Sequence, residues 1–102
     1  MNSWNVFFVK SGAYFKVVVA KDIVLRMSLL QSGNPSKIEF MGAISNLPKD
    51  KALLYRKKFY NFFRHNRVGN WIDNYKFEGY DSDSETIIYG DGGYHLDAVL
   101  EA

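Results

Sequence analysis

Between Asp50 and Asp73 the chain carries no carboxylate, yet it sets Lys51, Arg56, Lys57, Lys58, Arg64, His65 and Arg67 among Tyr55, Phe59, Tyr60, Phe62, Phe63 and Trp71. Cations interleaved with aromatics suit nucleic acid: ammonium and guanidinium groups neutralise phosphates, and flat rings stack on bases. The same composition also describes an ordinary amphipathic helix, with rings in a core and charges in water. Lys16, Lys21 and Arg26 form a second set of cations nearer the N-terminus. Other chemistries find few residues. There is no Cys, which excludes a disulfide framework and a thiolate zinc site. His65 and His95 stand apart without metal-ligand spacing, and no Ser/His/Asp or Cys/His arrangement assembles. "DSDSE" (81–85) alternates acids like the start of a calcium loop but lacks the glycine and distal glutamate, so it reads as a solvated loop. "YGDGGYH" (89–95) is followed by no Gly-Lys-Ser/Thr and reads as a turn. No metal and no cofactor is expected.

Charge is distributed unevenly. The chain has 102 residues and a net charge of +2, but residues 1–76 hold all 13 Lys and Arg against four carboxylates, a net +9. Residues 77–102 hold seven carboxylates and no Lys or Arg, a net −7. A basic body that could meet nucleic acid and an acidic end is one reading; an acidic end that folds back and neutralises the body is the other. The N-terminus lacks the basic and long apolar regions of a signal peptide. No window approaches the ~18 apolar residues of a membrane span. A cytoplasmic location and no membrane partner are therefore expected.

The elements that must position these cations follow from pattern. "WNVFFVK" (4–10) reads as a buried strand, Ser11-Gly12 as a tight turn, and "YFKVVVA" (14–20) as its hairpin partner. Asp22 caps a helix over "DIVLRMSLLQSG", which Gly33-Asn34-Pro35 stops. "KIEFMGAIS" (37–45) reads as a third strand, and Pro48 opens a long helix to about Asn66. At ~100° per residue, Ala52, Tyr55, Phe59, Phe62 and Phe63 share one face of that helix, opposite Lys57, Lys58, Asn61, Arg64 and His65. Arg56 falls within the aromatic face, with Tyr60 one turn along. It reads either as pointing into a cleft or as snorkelling past the rings to solvent. Beyond Gly69, "TIIYG" is β-like, "DGG" is a turn, and "YHLDAVLEA" is strand or helix. The order β-β-α-β-α predicts an α+β domain with a small three-stranded, mainly antiparallel sheet flanked by helices over residues 1–76. Residues 77–102 follow as an acidic extension packed on the same domain.

The run Lys21-Asp22 … Arg26 … Leu30-Gln31 … Gly33-Asn34-Pro35, followed by "RKKFYNFFRHNRVGNW", resembles the GIY-YIG nucleases, in particular the small branch found in phage and bacteria. The resemblance covers about residues 5–72. It implies a fold that hydrolyses phosphodiesters with one divalent metal, an arginine on the phosphate and a glutamate on the metal. The arginine is matched by Arg26. The other positions depart from the pattern. The first-strand tyrosine falls on Phe7, the "K-I-G" on Lys16-Val17-Val18 and the serine on Ala20. The helix histidine falls on Tyr60 and the metal-binding glutamate on Arg56, while the glutamate of "G-E-W-F" falls on Asn70 between Gly69 and Trp71. Magnesium wants carboxylate and water oxygens, and no Asp or Glu lies between Asp50 and Asp73 to supply a carboxylate at that position.

The expectation is therefore a GIY-YIG-like domain that is not an enzyme. It binds the DNA or RNA backbone through Lys16, Lys21, Arg26, Arg56, Lys57, Tyr60, Arg64 and Arg67. The alternative is a small protein-binding inhibitor or adaptor acting on a host protein, which the phage-like resemblance would make an anti-defence protein in a bacterial cytoplasm. A residual metal-dependent nuclease is the third reading. The C-terminal aromatics Tyr75, Phe77, Tyr80, Tyr89 and Tyr94 suit a dimer, a partner or the core, so the sequence leaves the oligomeric state open.

Overall fold

The computed structural model describes residues 3–73, 76–90 and 92–102. Two antiparallel strands, β1 (Trp4–Ser11) and β2 (Tyr14–Ala20), form a hairpin in which Asn5 pairs with Ala20 and Ser11 with Tyr14. Gly12 turns the chain with φ +61°, a conformation that favours glycine. Asp22 caps α1 (Ile23–Ser32), its Oδ1 accepting from the Leu25 amide at 3.0 Å. Strand β3 (Glu39–Leu47) returns antiparallel to β1. Helix α2 (Lys49–Phe62) follows, with Pro48 as its N-cap. The helix ends four residues before the expected Asn66, where Arg64–Asn66 tighten into a 3₁₀ turn.

The fold is α+β with three helices and two antiparallel sheets among the described residues. The first sheet is larger than the expected three strands. It has five, in the order β3-β1-β2-β5-β4. The two added strands are the short hairpin β4 (Arg67–Val68) and β5 (Trp71–Asp73), which turns through Gly69 at φ +62°. Gly69 is thus the bend of a hairpin, and Trp71-Ile72 is the β-forming pair behind it. Ile72 has no exposure, so its burial against β2 fixes the added strand.

The second sheet contains β6 (Phe77–Asp81), β7 (Thr86–Tyr89) and β8 (Gly92–His95), and α3 (Leu96–Leu100) closes the chain. "YHLDAVLEA" is therefore strand and then helix, with His95 as the N-cap. The expected "DGG" turn loses Gly92 and Gly93 to β8, and its Asp91 lies outside the described residues, as does Tyr75. Strand β6 lies against β3. A Cβ on Gly42 would stand 2.5 Å from the Tyr80 carbonyl oxygen, so only a glycine admits that approach.

Strand alternation sends β1 and β2 side chains to opposite faces. Val6, Phe8, Phe15, Val17 and Val19 meet Ala52, Phe59 and Phe63 of the α2 region, with Phe77, Tyr80, Ile87, Leu96 and Val99 from the C-terminal part. Phe8 packs edge-on to Phe59 at 5.0 Å between centroids, and Phe15 stacks on Phe77 at 4.1 Å. On the other face, Phe7, Val9, Val18, Ala20 and Ile38 pack beneath Ile23, Met27 and Leu30 of α1. Residues 77–102 thus add five members to the large core, while Glu78, Asp81, Asp83, Glu85, Asp97 and Glu101 stay exposed.

Candidate phosphate-binding cleft

The candidate site forms where the first sheet splays. Strand β5 pairs with β2 only at Tyr14–Asp73 and Phe15–Ile72. Continued in register, the ladder would set Lys16 beside Trp71 and Val17 beside Asn70. Instead the Tyr60 hydroxyl occupies the gap. It donates to the Asn70 carbonyl at 2.6 Å and accepts from the Val17 amide at 3.3 Å. One tyrosine from α2 thereby satisfies backbone groups that a strand would otherwise pair. Burial raises the Tyr60 pKa, against the opposing effects of its bond to Val17 and of Arg56 and Arg67. The hydroxyl stays protonated at neutral pH and is committed to the backbone.

Around this splay lies a cleft of about 240 Å³ lined by Lys16, Val17, Val18, Arg26, Leu30, Arg56, Tyr60, Arg67 and Asn70. Its four cations come from four elements. Lys16 takes the α1 face of β2, where its neighbours Val18 and Ala20 are apolar. Arg26 comes from α1, next to Met27 and one turn from Leu30, both of which seat the helix. Arg56 is half-buried on α2, on the turn before Tyr60, and lines the cleft. Arg67 opens β4; its Nε donates to the Gly69 carbonyl at 2.8 Å, and its guanidinium lies 4.9 Å from the Tyr60 ring centroid.

No described carboxylate lines this cleft or forms an ion pair with its cations; the ion pairs among the described residues are those of His95 with Glu85 and Asp97. Like charges are therefore gathered without a counterion among the described residues. The consequence shows at Lys16, whose pKa is pushed below the lysine value by burial first, then by Arg26 and Arg56. An anion entering the cleft would relieve that strain.

Five of the eight residues named from sequence line this cleft: Lys16, Arg26, Arg56, Tyr60 and Arg67. Lys57 and Arg64 line an adjoining groove on the outer face of α2 that also includes Arg56, Tyr60 and Arg67. Lys21 is placed elsewhere. Its ammonium lies 5.4 Å over the Trp4 ring, which Lys49 also approaches at 5.3 Å. Sequence reasoning did not name Asn70 or Trp71 as site residues. The signal for them was the β-forming Trp71-Ile72 pair after Gly69; the Lys16 ammonium lies 5.5 Å from the centroid of the Trp71 ring. Phe7, at the expected tyrosine position, is fully buried beneath α1 and does not line the cleft.

Among the described residues, no group of three or more His, Asp or Glu side chains is placed to hold a metal ion. The donors facing the cleft are ammonium, guanidinium, phenol and amide groups, which fit an anion rather than a hard cation. No family model, curated protein or solved structure matches the chain.

Proposed function

We propose that this protein binds the phosphate backbone of nucleic acid in the cleft around Tyr60 without cleaving it. The observation that carries this reading is the convergence of Lys16, Arg26, Arg56 and Arg67 on one cleft that no described carboxylate lines. Arginine forks match phosphate oxygens in pairs, and a partly desolvated lysine gains most from a dianion or diester beside it. The adjoining groove with Lys57 and Arg64 extends the cationic track along α2. Hydrolysis would require an activated water and stabilisation of the leaving oxygen. The Tyr60 hydroxyl is spent on Asn70 and Val17, and Arg56 would repel a divalent cation. Binding would be weakly sequence-specific and steeply salt-dependent. Fluorescence anisotropy with a labelled oligonucleotide at two salt concentrations, beside a plasmid-nicking assay with Mg²⁺ or Mn²⁺, tests the proposal. Binding at low salt without nicking supports it; no binding at low salt overturns it.

A second reading, a protein-binding inhibitor or adaptor, is favoured by a different surface. Val24, Leu25 and Leu29 on α1 are 80%, 57% and 57% exposed, and Phe40 on β3 is 49% exposed. Pull-down with wild-type protein and with Leu25→Asp/Leu29→Asp separates the readings, since nucleic-acid binding through the cleft would survive that change.

A further inference from the structure

The β4–β5 hairpin is a partition with different chemistry on its two sides. Arg67 and Asn70 face the cationic cleft. Val68 and Trp71, cross-strand partners one residue along from them, face a second cleft of about 490 Å³. Ser11, Gly12, Ala13 and Tyr14 of the β1–β2 turn, and Asn34 and Ser36 beyond α1, complete that second cleft. The clefts also adjoin across β2: the Lys16 ammonium, which lines the first, lies 5.5 Å from the centroid of the Trp71 ring, which lines the second.

Their dimensions and lining differ in a consistent way. The smaller cleft offers charge and space on the scale of a phosphate. The larger offers Trp71, Tyr14 and Val68 as apolar surface, with Ser11, Asn34 and Ser36 as polar groups at its margin. Tyr14 is 41% exposed and Val68 57% exposed, so this apolar lining is open to solvent. Flat aromatic surface beside a phosphate site fits a nucleotide whose base has left its stack. In a duplex the base remains paired and its ring face is unavailable.

We infer that the cleft bounded by Trp71, Tyr14 and Val68 receives an unstacked base of single-stranded nucleic acid while Lys16 and the arginines hold the adjoining phosphate. This inference rests on the phosphate-binding reading above and adds to it the class of strand and the residue that reads it. Lys16 ties the two subsites together, since its ammonium lines the phosphate cleft and lies 5.5 Å from the centroid of the indole that lines the other.

The chain has two Trp, so Trp4→Phe leaves Trp71 as the only indole. Trp4 lies outside both clefts. This variant is titrated with a thymine oligonucleotide, an abasic oligonucleotide of equal length and a duplex, following Trp71 fluorescence and the anisotropy of a labelled strand. The expected result is quenching of Trp71 by the thymine strand alone, with affinity roughly tenfold above the abasic strand and the duplex. Tyr14→Ser, at an exposed position, is expected to reduce that preference while abasic binding is kept. Equal affinity for thymine and abasic strands without quenching would overturn the base subsite and leave the phosphate cleft standing. No binding of any strand would overturn both.

Discussion

The two faces of the five-stranded sheet are built to different standards. The α2 face holds the large core, in which Phe8, Phe15, Phe59 and Phe77 are fully buried and in ring contact. The α1 face is thinly covered. Helix α1 has no buried residue, and its apolar Val24, Leu25 and Leu29 face outward. On the first face every inward position of β2 is apolar; on the second, Lys16 takes such a position beside Val18 and Ala20. The first face carries the larger core, and the smaller core of the second leaves room for a partly buried lysine at its margin. The cleft sits at the sheet edge where both faces are accessible, so α1 and α2 each contribute an arginine to it.

The largest expected effect breaks the stable face. Phe59→Ala should destabilise the protein by about 3–5 kcal/mol through lost burial and a residual cavity. Leu29→Ala, on the outer surface of α1, should change stability by less than about 0.5 kcal/mol. Denaturant unfolding of both variants checks the contrast.

Next comes the clasp at the sheet edge. Tyr60→Phe keeps the ring under Arg67 but leaves the Val17 amide and Asn70 carbonyl without their hydroxyl partner. The expected loss is about 1–2 kcal/mol, moderated because Asn70 is open to water. Hydrogen exchange should show faster exchange at the Val17 amide and little change at Phe8. An equal increase at both would mean that Tyr60 stabilises the whole core rather than the splayed edge.

Arg26→Ala and Arg56→Ala act on the cleft. Each should weaken oligonucleotide binding by about tenfold, the scale of one charge-assisted contact, without lowering the unfolding midpoint. Removing either cation relieves repulsion at Lys16, so an unchanged or raised midpoint is the expected sign.

The smallest effect is in pH. The Lys16 pKa lies below 10.5 in the folded chain, so between the lowered value and 10.5 the unfolded chain binds more protons. Stability from this group therefore rises with pH across that window. Phosphate binding favours the charged ammonium, so affinity should fall as pH rises through the lowered value, by about two- to fivefold. Lys16→Arg, whose charge persists, should flatten the affinity profile; an unchanged profile would place the titrating group elsewhere.

Much of this arrangement was legible in the sequence because it depends on local pattern. The β1–β2 alternation, the Asp22 cap and the aromatic stripe of α2 each follow from period and side-chain type, and Arg56 and Tyr60 share the cleft because they are one turn apart. The five-stranded sheet was not legible, because β4 and β5 are two and three residues long and depend on pairing with distant β2. Lys21 falls outside the cleft for a related reason. Nearness to Lys16 and Arg26 in sequence did not reveal that β2 carries it past Ala20 to Trp4, away from Lys16.

Cleft cations that act together on phosphates must make binding depend on salt. Log affinity for a single-stranded oligonucleotide should fall linearly with log salt, with a slope of about −2 to −3 for the four cleft cations at about 0.7 per phosphate neutralised. Arg26→Ala/Arg56→Ala/Arg67→Ala should remove about 2 from the magnitude of that slope. A slope that the triple substitution leaves unchanged would mean that the phosphates are held elsewhere on the protein.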